Sequence, residues 1–121
     1  MSSLKTVVIG ASENTGRYSN RAVRMLKKHG HEVVAVGLRE GEIEGVKIHA
    51  NHPAEDNVHT VTLYVGPANQ AAWLDYIASL KPQRLILNPG TENEQIMQWA
   101  QQHGIEPVEA CTLVMLSVGT Y

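Results

Sequence analysis

Residues 5–37 read KTVVIG, ASENTGRYSNRAVRMLKKHG and HEVVAVG, and the order of these three blocks decides the fold. Lys5 to Gly10 is a short β-branched apolar run ending in glycine, the composition of a strand buried on both faces of a parallel sheet. Ala11 to Tyr18 is polar. From Ser19 to His29 a helical period places Ser19, Ala22, Val23 and Leu26 on one face and Arg21, Arg24 and Lys28, with Arg17 just ahead of them, on the other. Gly30 ends this helix as a C′ residue. Glu32 to Gly37 is a second buried strand. Strand, loop, helix and strand within about thirty residues make a βαβ crossover.

Downstream the alternation continues. Arg39 to Gly45 carries charge and two glycines and reads as an exposed loop, followed by a short candidate strand, Val46 to His49. His52 to Val58 reads as irregular connection, and Thr60 to Val65 as the next strand. Pro67 opens the approach to a helix with Trp73, Leu74, Ile77 and Leu80 on its inner face, stopped by Pro82. Arg84 to Leu87 is a further strand. Thr91 and Glu94 form a capping-box pattern for a helix through His103, with Ile96, Trp99 and Ala100 inward and Gly104 at C′. Pro107 to Ala110 fits an edge strand, where proline's missing donor is tolerated. Leu113 to Val118 is too short and too uniformly apolar for periodicity to choose strand or helix. The expectation is one α/β domain, residues 1–121, Rossmann-like, with a mostly parallel sheet of five or six strands and helices on both faces.

Composition narrows the function classes. The 121 residues are 43% hydrophobic and 18% charged, with no Phe, which excludes a disordered or fibrous chain. No apolar run approaches bilayer length, and Met1 to Thr6 lacks the regions of a signal peptide, so the expected address is the cytoplasm and no membrane partner is expected. The single cysteine, Cys111, excludes an intrachain disulfide and a cysteine-rich zinc site, and reads as a buried, inert core residue. Six bases and one acid fall between Arg17 and Arg39, against four bases and eleven acids elsewhere. A solvated helix face and a bound polyanion both account for that stretch; nucleic acid is disfavoured because the remaining surface repels it.

In a sheet of this kind ligands bind beyond the carboxyl ends of the strands, where strand order reverses. After the first strand comes Gly10-Ala11-Ser12-Glu13-Asn14-Thr15-Gly16-Arg17, in which glycine and small polar residues precede a helix N-terminus. A phosphate cradle and a plain strand end both fit this stretch. GxGxxG needs glycine where Ser12 stands, and the Walker spacing is absent, so a nucleotide triphosphatase is not expected. After the second strand, Gly37-Leu38-Arg39 has arginine where an NAD site has an acid; it suits a ribose phosphate, as in NADP or coenzyme A, or a solvated loop. No catalytic residues assemble: GxSxG, HExxH and paired carboxylates are all missing. His49 and His52, three residues apart, lack the carboxylates of a metal site, and none is expected. Trp73 and Trp99 read as core.

Several segments together resemble the small stand-alone CoA-binding domain proteins, themselves similar to the CoA-binding domain of the succinyl-CoA synthetase alpha subunit. These are Gly10-Ala11-Ser12, Arg17-Tyr18-Ser19, Ala22-Val23, Leu26, His29 to Val33, Val65-Gly66-Pro67, Asn88-Pro89-Gly90 and Glu109 to Val114. The resemblance implies a site for the ADP part of CoA or an acyl-CoA. Gly10, Ala11, Ser12, Arg17 and Ser19 would face the phosphates, with Leu38 and Arg39 after the second strand. Val65 and Pro67 would border the adenine, and Asn88, Pro89 and Gly90 form the neighbouring turn. Gly66 departs from the second proline of many relatives. The synthetase's phosphorylated histidine belongs to a domain not matched here, so its ligase activity does not carry over.

The resemblance favours a non-catalytic carrier, sensor or partner subunit for a small nucleotide cofactor. An NADP-dependent oxidoreductase or redox-sensing nucleotide binder is the alternative, and an interaction module with a decayed site is a third class. Homo-oligomer and partner protein both remain open.

Overall fold

The computed structural model describes residues 3–121; Met1 and Ser2, at the start of the expected domain and of the stretch read for a signal peptide, lie outside them. The described residues form seven strands in the spatial order β3-β4-β2-β1-β5-β6-β7. They are β1 Thr6–Ile9, β2 Val33–Val36, β3 Gly41–Ile43, β4 Val46–His49, β5 Thr60–Leu63, β6 Arg84–Leu87 and β7 Glu106–Glu109. Every pairing is parallel except β3 with β4. The helices are α1 Tyr18–Lys28, α2 Leu74–Leu80, α3 Glu94–Gln102 and α4 Thr112–Val118.

β1 and β5 lie at the middle, and all their residues are buried, as runs without alternation require when both sheet faces are covered. Val7 and Ile9 point into a core shared with Ile77, Leu80, Ile96 and Ala100 of α2 and α3. Val8 points to the other face, with Val23 and Leu26 of α1 and Leu116 of α4. Gly30, with φ of 84°, reverses the chain after α1 as expected, and Gly104, with φ of 71°, does so after α3.

The sheet has one strand more than the upper expectation of six. Part of the expected Arg39–Gly45 loop is β3, an edge strand paired antiparallel to β4. Glu44 and Gly45 connect the two with φ of 45° and 85°, the paired positive values of a tight hairpin turn. Leu113–Val118 resolves as helix α4, whose Thr112 and Leu116 face inward.

The helix cap before α3 is a second correction. Asn93, not Thr91, is the N-cap; its Oδ1 accepts the Ile96 N–H at 2.9 Å. Thr91 instead donates its hydroxyl to the Asn88 carbonyl at 2.8 Å, which closes the turn after β6. Trp73 is buried, with the His52 ring stacked 4.7 Å away, whereas Trp99 is half-buried beside His103. Cys111 is likewise half-buried rather than fully enclosed, because it stands at the N-cap of α4 on the edge of the sheet.

Candidate functional site

From β1 the chain moves to β2 and β4 on one side, then returns to β5 on the other, so strand order reverses between β1 and β5. The connections leaving these two strands diverge there, the position at which sheets of this kind take their ligands. Two glycines let the backbone close up around it. Gly10 has φ of 95°, and a Cβ built on it would stand 3.0 Å from the Tyr64 carbonyl oxygen just past β5. A Cβ on Gly37, just past β2, would collide with the Ala11 carbonyl oxygen.

The loop after β1 is held by its own polar groups. Gly10 and Ala11 donate their N–H groups to the Val36 carbonyl at 2.9 and 3.0 Å. Ser12 Oγ accepts the Asn14 N–H at 3.1 Å, and Asn14 Oδ1 accepts the Gly16 N–H at 2.9 Å. From inside α1, Asn20 Nδ2 donates to the Ser12 carbonyl at 2.9 Å, and its Oδ1 accepts from Arg24 Nε at 2.8 Å. Glu13 turns sideways and accepts the Glu42 N–H at 3.1 Å, fastening the loop to β3. Glu13, Asn14 and Asn20 shape the loop and were not singled out by sequence, because their partners lie on other turns and on other elements.

Two buried amides fix the turns beyond β5, β6 and β7. Asn88 donates to Thr62 Oγ1 and the Leu63 carbonyl at 2.7 and 2.9 Å, and its Oδ1 accepts the Thr112 N–H at 3.0 Å. Gln70 donates to the carbonyls of Val65 at 2.9 Å and Thr91 at 2.6 Å. Asn88 is among the residues the sequence points to. Gln70, in the turn after Pro67, is not, because its partners Val65 and Thr91 meet it only in the folded chain.

The candidate residues therefore gather on one edge in different states. Leu38 is 87% exposed, an apolar side chain in water beside the site. Arg17 and Arg39 are exposed cations, Pro67, Pro89 and Gly90 are exposed turn residues, and Val65 is half-buried. Ala11 and Ser19 are buried, and Ser12 is half-buried. Asn88 is enclosed with its amide already bonded, which makes it a support for the edge. Tyr64, just past β5, has a buried hydroxyl near Thr62 and Thr112 that makes no hydrogen bond among the described residues; burial pushes its pKa well above the usual value. Chemically the edge offers glycine-lined backbone, a helix N-terminus, two exposed guanidinium groups and an exposed apolar side chain. That set suits a phosphate-bearing ligand with a flat apolar part.

A family model described as "CoA binding domain" matches residues 5–117. The chain belongs to this family. A crystal structure of a protein described only as uncharacterized is 49% identical, with all of both chains covered and a TM-score of 0.96. A conserved hypothetical protein from Pyrococcus furiosus is 27% identical over 91% of this chain and 97% of its own, with a TM-score of 0.80. The fold also recurs in a dinucleotide-forming acetyl-coenzyme A synthetase from Ca. Korarchaeum cryptofilum. That chain is 16% identical over 88% of this one but only 26% of its own length, with a TM-score of 0.74. None of the curated proteins compared matches this sequence. Among the described residues, no helix is long and apolar enough to cross a membrane.

Proposed function

We propose that this member of the family binds coenzyme A or an acyl-CoA by its ADP part, between the connections that leave β1 and β5. The observation that carries this reading is Gly10: its positive φ and its close approach to Tyr64 bring the β1 turn against the end of β5 with no side chain between them, in a chain whose family is that of CoA-binding domains. The Gly10-Ala11-Ser12 turn and the start of α1, with Arg17 and Ser19, would hold the pyrophosphate. Arg39 would meet the 3′-phosphate with paired charged hydrogen bonds, and Leu38 would lie against the adenosine. Val65 and Pro67 would border the adenine on the β5 side, with Asn88, Pro89 and Gly90 closing the edge.

The residues fit such a ligand because both guanidinium groups are exposed and neither makes an ion pair among the described residues. Chemistry on an acyl group would come from elsewhere, which makes the domain a carrier, a sensor or a subunit of a cytoplasmic assembly. A ligand binding only the native state raises stability by about 2.7 kcal/mol at a hundredfold excess over Kd. In a thermal-shift panel, CoA should raise Tm well beyond NADH or NADPH. Stronger stabilisation by NADPH would replace this reading with the nicotinamide one.

A further inference from the structure

At the opposite edge of the sheet, Thr6, Thr60 and Arg84 stand in register at the starts of β1, β5 and β6. Tyr121, three residues beyond α4, folds back over them. Its hydroxyl lies 2.5 Å from Thr6 Oγ1, its ring carries the Arg84 guanidinium 4.5 Å from the centroid, and the His31 ring sits 5.0 Å away. Arg84 Nε donates to Thr60 Oγ1 at 2.7 Å, and the same hydroxyl shares a second hydrogen bond with His59 Nδ1, also at 2.7 Å. His31 Nδ1 accepts the Leu4 N–H at 3.0 Å. The His31 Nδ1 is thus unprotonated, and His59 is tied through the Thr60 hydroxyl to Arg84.

Protonating His31 would put a donor where an acceptor is needed, and protonating either ring would add a second cation beside Arg84. Arg84 Nη2 is already buried without a partner, and no carboxylate pairs with the guanidinium among the described residues. The surrounding charges give little relief. Lys5 is engaged by Glu32 and Glu55, at 3.6 and 2.8 Å, and His29 adds a further like charge at the end of α1 when protonated. Glu106, beside Arg84 in register, points to solvent. The run from Thr112 to Tyr121 has no charged side chain.

We propose that Tyr121 is an acid-released pin: with His31 and His59 neutral it clamps the far end of α4 to the sheet, and with them protonated it undocks. Undocking admits water to Arg84 and the two imidazoles, so the released state binds protons more tightly than the clamped one. Burial first, then neighbouring positive charge, already holds both histidines below their usual pKa in the clamped state. The other end of α4 stays fastened, because Thr112 is bonded to Asn88 and its hydroxyl lies 2.7 Å from that of Thr62. The helix therefore frays from the Tyr121 end, starting with the Thr120 N–H that donates to the Met115 carbonyl.

The test is amide hydrogen exchange by NMR on the full chain at pH 7.5 and 5.5, with rates corrected for intrinsic pH dependence. Protection at Met115 to Thr120 should fall about tenfold or more at the lower pH, with the midpoint of the His31 or His59 ring titration, while β1 and β5 lose far less. In the double variant His31→Asn, His59→Asn, each amide keeps a hydrogen-bonding group in place of Nδ1 without titrating, and the loss should shrink severalfold. Equal protection of α4 at both pH values would overturn the pin, as would a loss spread evenly over the sheet or an undiminished loss in the double variant. The wild-type measurement stands alone if that variant does not fold.

Discussion

The two edges of the sheet hold their arginines in opposite ways. At the amino edge Arg84 is hydrogen-bonded to Thr60 and stacked on Tyr121, and both neighbouring histidines are wired into the same cluster. At the carboxyl edge Arg17 and Arg39 stand in solvent, while the buried polar groups beneath them, Asn88 and Gln70, are bonded within the protein. A cation held by the side chains of its own fold is occupied as part of that fold. One left free on a rigid, glycine-lined edge is available to a ligand. The contrast separates support from binding: the carboxyl edge needs its amides and glycines to exist, and its exposed arginines only to recognise.

Breaking the support should have the largest effect. Gly37→Ala drives a methyl group into the Ala11 carbonyl and forces the turns after β1 and β2 apart. The cost should be about 3 kcal/mol, the upper end for overpacking, with CoA binding lost as well. Urea unfolding and calorimetric titration of the same sample would show both. Asn88→Ala comes next, because it leaves the Thr112 N–H without an acceptor in a buried site and removes two donated bonds. A loss of about 2 kcal/mol is expected in urea unfolding. A loss under about 0.5 kcal/mol, the range of ordinary surface changes, would mean that Asn88 is not a support.

A smaller effect comes from pH and belongs to the amino edge. His31 and His59 have folded pKa values below the ordinary 6.5, so the unfolded chain holds more protons just under that value. Stability should therefore be full above about pH 6.5 and fall as the pH drops below it. A Tm flat from pH 7.5 to 5.5 in the wild type, or a decline unchanged in the His31→Asn, His59→Asn variant, would contradict the wiring described for that edge.

How much of this could be read in advance depended on whether the cause was local. β1, α1 and β2 follow from β-branched runs, an apolar helical stripe and Gly30, all within a few residues of where they act. Gly104 is of the same kind. β3 escaped because three residues with one buried side chain, Ile43, are too short to alternate, and its pairing depends on a turn through Glu44, an unusual residue for positive φ. α4 was undecided because its sequence is apolar throughout; Asn88, far away in the chain, receives its first N–H and sets its start. The Thr91 cap failed because Asn93 offered an acceptor two residues nearer the helix and Thr91 was taken by the turn. For the candidate site, reasoning from strand ends pointed to Gly10, Leu38, Arg39, Pro67 and Asn88, which the fold gathers at the carboxyl edge. The ties made by Glu13, Asn20 and Gln70 were illegible because only the assembled sheet brings their partners within reach.

Arg39 is the sharpest probe of the comparison, since its removal should leave stability unchanged. A hydrogen bond to a charged group contributes about 1.5 to 3 kcal/mol, so Arg39→Ala should weaken CoA by roughly ten- to a hundredfold. Dephospho-CoA, which lacks the 3′-phosphate, should bind wild type and variant almost alike. Isothermal titration of both ligands against both proteins is the most direct measurement. The account predicts a loss confined to CoA; no CoA binding by the wild type, or equal losses for the two ligands, would contradict it.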